Sequence, residues 1–99
     1  MGAARPGVSI GSLAEIALGR ARAAGYEDYL YFRGHGIGCA TQDLPAFAPG
    51  NPQLLVENHV FAFEPMLVRK EFGTACWEDV WWVTGTGVER LNQCPIRWW

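Results

Sequence analysis

The sequence predicts an α+β domain, and three observations predict it. An apolar stripe at helical spacing occupies the first quarter, with Leu13, Ile16, Ala17, Ala21 and Ala24 on one side. Alternating segments, "HVFAFEP" and "ACWEDVWWVT", occupy the second half and read as strands. The order is helix, strand, loop and antiparallel meander, which is an α+β order.

The elements follow along the chain. "RPGVSIGS" is a loop leading into the helix. Ser12 and Glu15 match the S-x-x-E capping box, in which each side chain satisfies an orphan backbone donor, so the helix is expected to begin there. Gly25 follows the last periodic residue as a stop. "EDYLYF" reads as a strand that runs into a glycine turn, "RGHGIG". "QDLPAFAPGNP" holds three prolines and reads as a loop. "HVFAFEP" is expected to end as a strand at Pro65. "ACWEDVWWVT" reads as one long strand, "GTG" as a turn and "VERL" as a short returning strand. Internal repeats and low-complexity segments are absent.

Composition narrows the function classes. The chain has 99 residues, 49% hydrophobic and 18% charged, which fits one small domain or part of a larger one. Eight basic and ten acidic residues give a net charge of −2 without a basic run, so nucleic-acid binding has no electrostatic footprint. No apolar run is long enough to span a bilayer, and "MGAARPGVSIGS" lacks the apolar core of a signal peptide. The expectation is a cytoplasmic protein without nucleic-acid or membrane partners. Cys39, Cys76 and Cys94 form no C-x-x-C pair, so a structural zinc site is not expected. They read as reduced, buried or half-buried thiols, with Cys39, beside the glycine turn, the one that touches a site. The terminal pair Trp98 and Trp99 reads as a docking surface or as the end of a truncated gene.

Three residues sit where a purely structural role is strained. His35 lies between two glycines. Glu64 shares a strand face with Val60 and Ala62, with Phe61 and Phe63 on the other, so it is expected to be at least partly buried. Glu78, flanked by Trp77 and sharing a face with Val80 and Trp82, poses the same problem. A buried carboxylate is costly unless paired, hydrogen-bonded or metal-bound. Two carboxylates on neighbouring antiparallel strands repel, and a divalent cation between them removes both penalties. Oxygen ligands with one imidazole, from His35, suit manganese, cobalt, iron or zinc better than calcium. Each residue alone has an ordinary reading, a turn histidine or a solvent-facing strand glutamate.

The order and spacing of these motifs resemble the C-terminal half of the "pita-bread" metallohydrolases: methionine aminopeptidase, Xaa-Pro aminopeptidase, prolidase and creatinase. "RPGVSIGSLAEIALGRARAAGYEDY" is similar to the family's PGV turn and following helix. "RGHGIG" is similar to the turn with the metal-binding histidine, and "VFAFEP" to the strand with the first metal-binding glutamate. "WEDVWWVTGTGVERL" is similar to the strand with the second glutamate and the closing hairpin. The pair Glu78–Asp79 looks like the prolidase and Xaa-Pro aminopeptidase branch. The resemblance covers nearly the whole chain, so residues 1–99 are expected to form half of a pita-bread domain, one main helix on an antiparallel sheet.

The resemblance implies two divalent ions sharing a bridging water, and hydrolysis of an N-terminal peptide bond with proline in second position. It assigns His35 as a terminal ligand, Glu64 as a ligand and proton acceptor, and Glu78 as the bridging ligand. Two further aspartate ligands lie upstream of the PGV turn in relatives. This sequence starts a few residues before Pro6, and Asp28 and Asp43 lie in other motifs. Three ligands suit one weakly held ion. An N-terminal half-domain or a second copy of the chain is therefore an expected partner, beside a peptide substrate. Relatives carry histidine and glutamate where Gln42 and Asp43 stand. Gln42 donates a hydrogen bond but carries no proton or positive charge, which puts its catalytic role in question. Asn58 and His59 replace a Gly-Met pair. Asparagine keeps the left-handed backbone, and His59 is not expected at the metal. Two alternatives stand beside a metallo-aminopeptidase: a non-catalytic peptide- or protein-binding relative, and a creatinase-type hydrolase of a non-peptide C–N bond.

Overall fold

A computed structural model describes residues 1–95. The reading of Trp98 and Trp99 falls outside the described residues. Helix α1 spans Ile10–Ala23. A short 3-10 turn, Glu27–Tyr29, leads into strand β1, Leu30–Gly36. Strands β2, Val60–Arg69, β3, Gly73–Cys76, β4, Asp79–Val83, and β5, Val88–Arg90, complete one antiparallel sheet. The order is β1-β2-β4-β5, with β3 also on β2. This is the expected α+β architecture, half of a pita-bread fold.

The helix begins earlier than the S-x-x-E match implied. Ser9 is the N-cap, and its Oγ accepts the Ser12 amide at 3.2 Å while the Ser12 hydroxyl donates to Ser9 O at 2.7 Å. Glu15 takes no part in the cap. Tertiary contacts draw the start forward: the Ile10 and Gly11 amides donate to Gln53 O and Asn51 O, and Ile10 is fully buried. Orphan donors of the first turn are thus satisfied by a loop distant in sequence. The helix ends as expected, with Gly25 at φ +74° just past the C-cap. Its apolar stripe is only partly covered, since Leu13 is buried but Ile16 is 45% exposed.

The register sorts side chains onto two faces. Phe32 on β1, Phe61 and Phe63 on β2, and Trp81 and Val83 on β4 lie on the α1 side. Phe61, Val83, Ile10, Leu13, Leu55, Phe47 and Ala4 make the core there. Phe47 stacks on Phe61 with centroids 4.7 Å apart, and Phe32 packs on Phe63 at 5.0 Å. His35, Ala62, Glu64, Met66, Cys76 and Val80 lie on the opposite face, because His35 and Val80 both pair with Ala62 and Cys76 pairs with Met66.

Two strand boundaries differ from expectation. Strand β2 does not stop at Pro65 but runs on to Arg69. The single long strand expected over "ACWEDVWWVT" is two strands, β3 and β4, separated by Trp77 and Glu78. Both pair with β2 in one unbroken register, Met66 with Cys76 and Phe63 with Asp79. Pro65 explains the interruption. Its carbonyl accepts the Trp77 amide at 3.2 Å, but proline has no N–H to return the bond.

Candidate metal centre

His35 does not sit in a turn. "RGHG" is the last part of β1, and His35 pairs with Ala62 in regular antiparallel register. The flanking glycines serve the opposite face. A Cβ on Gly34 would lie 2.8 Å from Phe47 Cβ, and one on Gly36 would collide with the Leu44 carbonyl. The loop after β1 is held there by Phe47 N to Gly34 O at 2.7 Å and by paired bonds between Gly36 and Asp43. The glycines therefore admit the loop behind the strand, while His35 projects from the front.

The histidine is oriented by its own backbone. Nδ1 lies 2.9 Å from Gly36 O, and a carbonyl oxygen only accepts, so Nδ1 carries the hydrogen. Nε2 is thereby the ring nitrogen turned toward Glu64. Nε2 lies 4.0 Å from Glu64 Oε2, and both side chains are mostly covered, at 13% and 17% exposure. The expected partial burial of Glu64 is therefore present.

Glu78 differs from expectation, because it is exposed and its neighbour Asp79 is the buried carboxylate, at 8%. The common register of β3 and β4 places Glu78 directly across from Glu64. Like charges directly opposite on adjacent strands repel. His35, Glu64 and Glu78 each bring a ligand atom within 4.8 Å of the others. One imidazole nitrogen and two carboxylates are a donor set for a divalent first-row ion, and a cation there converts the repulsion into attraction.

Asp79 anchors this arrangement from the helix side. Its Oδ2 accepts from Trp77 Nε1 at 2.9 Å, its Oδ1 accepts from Asn92 Nδ2, and Arg90 stands 3.6 Å away. Burial works to raise this carboxyl, but the bonds from Trp77 and Asn92 and the charge of Arg90 outweigh it and hold it below the usual carboxylate range. Asn92 also caps the Val80 amide at 2.8 Å. The residue after Glu78 is thus fixed on three sides. In the sequence, Asp79 stands out only through its resemblance to the family's Glu-Asp pair. Nothing local marks Asn92, which lies beyond the β4–β5 hairpin.

Other expectations fare differently. All three cysteines are exposed, against the expected burial. Cys76, not Cys39, borders the cluster, with Sγ 3.7 Å from Glu64 Oε1. Partial burial raises its thiol, and the neighbouring Glu64 charge adds to this. His59 is occupied elsewhere, its Nδ1 accepting the Val56 amide at 3.3 Å, and Asn58 adopts φ +71°, the left-handed geometry expected. Gln42 is exposed on the loop closed by the Gly36–Asp43 bridge. Asp43 spends its Oδ2 on the Ala40 amide at 2.8 Å. No described helix is long and apolar enough to cross a membrane.

The model of metallopeptidase family M24 matches residues 1–85. The chain belongs to this family. Among M24 relatives, it is 39% identical over 94 residues to YkvY of Bacillus subtilis, named as a dipeptidase, covering 94% of this chain and 26% of that protein. It is 35% identical over 103 residues to the Xaa-Pro dipeptidase of Lactobacillus helveticus, covering 96% and 28%. The crystal structure of dipeptidase PepE from Mycobacterium ulcerans superposes with a TM-score of 0.88 at 33% identity, covering 94% of this chain and 25% of that one. The chain thus spans about a quarter of the length of these three relatives.

Proposed function

We propose that this chain forms the histidine- and glutamate-bearing half of an M24 hydrolase of the Xaa-Pro aminopeptidase and prolidase type. Its substrate would be a peptide, cut at an N-terminal bond with proline in second position. The observation that carries this reading is the convergence of His35 Nε2, Glu64 and Glu78 on one sheet face. The complete site takes two divalent ions, from manganese, cobalt, zinc or iron, and the remaining donors come from an N-terminal half-domain or a second copy of the chain. A cytoplasmic location accompanies this reading.

A divalent ion, when held, polarises a carbonyl and makes water acidic enough to attack it at neutral pH. The chain's own residues do the rest. His35 would bind through Nε2, because Nδ1 is committed to Gly36 O. Glu64, partly shielded from solvent, would be a ligand and the proton acceptor. Glu78, beside the anchored Asp79, would be the ligand shared between the ions. Gln42 would offer substrate a hydrogen-bond donor and would move no proton.

Metal analysis of the full chain, with hydrolysis of an Ala-Pro peptide, tests the reading. Divalent-ion binding that His35→Ala abolishes is expected, with Glu64→Gln removing any turnover. Binding and turnover unaffected by both substitutions would overturn it. Peptide binding without metal or turnover would favour a non-catalytic relative.

A further inference from the structure

We propose that Arg33 is a specificity residue of this site, reading a free C-terminal carboxylate one residue beyond the bond to be cut, so that the substrate class is dipeptides. This rests on the hydrolase reading of His35, Glu64 and Glu78. Register puts Arg33 beside them. It pairs with Glu64 across the β1–β2 gap and lies two residues before His35, so all three share the sheet face turned away from α1. An arginine kept only to neutralise Glu64 would close on that carboxylate. The ion-pair partner that Glu64 has within 4.0 Å is instead His35. Arg33 turns along its own strand. Its Nη2 donates to the Tyr31 hydroxyl at 3.0 Å, and its guanidinium carbon lies 4.9 Å over the Tyr31 ring.

The stack holds the guanidinium in place. Tyr31 is 49% exposed, so the group is presented at the surface. Tyr31 engages one N–H of the flat guanidinium fork and leaves the others. Those suit the two oxygens of a carboxylate, which an oriented fork binds bidentately with little entropy left to lose. An α-ammonium group at the same place would be repelled, which fixes the direction of the peptide. Length decides which carboxylate is read. Two strand residues separate Arg33 from His35, about 7 Å. One extended residue covers about 3.5 Å, and a charge-assisted hydrogen bond about 2.8 Å. The leaving residue of a dipeptide, with its carboxylate on Arg33, fills that gap. The carboxylate of a tripeptide overshoots by about another 3.5 Å.

Calorimetric titration of the full chain, with zinc in excess, compares Ala-Pro, its C-terminal amide and Ala-Pro-Gly. Ala-Pro is expected to bind about tenfold or more tighter than either, the worth of a hydrogen bond to a charged group. Arg33→Leu should remove that preference and leave the affinity for the amide unchanged. Arg33→Lys keeps the charge without the fork and should restore only part of it. An arginine with a merely structural role would shift the urea midpoint and weaken all three ligands alike, which overturns the assignment. So does equal binding of Ala-Pro and its amide, a lack of peptide binding, or a preference that survives Arg33→Leu. In each of these cases His35-dependent zinc binding leaves the metal reading standing. Absence of any His35-dependent zinc binding overturns both.

Discussion

Along β2, Phe61 and Phe63 face the helix, while Ala62 and Glu64 face the other way. On the helix side Phe61 is 1% exposed and stacked on Phe47, and every neighbour gains from its presence. On the other side Glu64 has Arg33 across one strand gap and Glu78 across the other, so one neighbour attracts it and the other repels it. One strand therefore carries a packed surface and a frustrated one, alternating residue by residue. The packed face holds the backbone still. That rigidity lets the opposite face keep two carboxylates together at a separation they would not choose. The frustrated face in turn has a cation as its natural remedy.

Four substitutions probe this contrast. Phe61→Ala should cost about 3–5 kcal/mol, the usual loss for a buried phenylalanine, read as a shift in urea midpoint. A much smaller loss would mean that the helix face does not brace the sheet. Gly36→Ala should cost about 1–3 kcal/mol, because the added methyl meets the Leu44 backbone rather than a yielding side chain. If the site alone required this glycine, metal affinity would fall with stability unchanged.

Asp79→Ala should cost about 1–3 kcal/mol, since Trp77 and Asn92 lose their acceptor. The pH dependence has a definite sign. Asp79 is held below its ordinary value of 3.8, so its contribution is complete above that pH and is lost as the pH falls through the lower folded value. Acid unfolding curves of the wild type and Asp79→Ala should therefore converge at low pH. Divergence there would contradict the hydrogen-bonded account. Glu78→Gln should have the smallest effect and the opposite sign. Without divalent ions it should stabilise the chain by about 0.2–1 kcal/mol by removing one of two facing charges. With a divalent ion present the same substitution should destabilise. If the sign is the same in both conditions, the two faces do not differ in the way described.

His35, Glu64 and Glu78 were legible from residue types, the alternation of "VFAFEP" and the spacing of the motifs. The helix, its glycine stop and the left-handed Asn58 were legible for local reasons, since φ preferences and 3.6-residue periodicity act within a few positions. The helix start was not. Ser12 and Glu15 had the right spacing, but hydrogen bonds from residues some forty positions away moved the cap to Ser9. Gly34 and Gly36 read as part of a turn but lie in β1, and what they admit is a loop that follows them and returns behind the strand.

By itself, the sequence determined which residues are candidate ligands, which face of each strand they take and where the helix ends. Only the tertiary structure decided that Glu78 stands across from Glu64, that Pro65 interrupts the facing strand there, and that Cys76 rather than Cys39 lies beside Glu64. The physical reason is range. Alternation and capping are properties of a few consecutive residues, whereas register is set by every hydrogen bond and packed side chain along two strands at once.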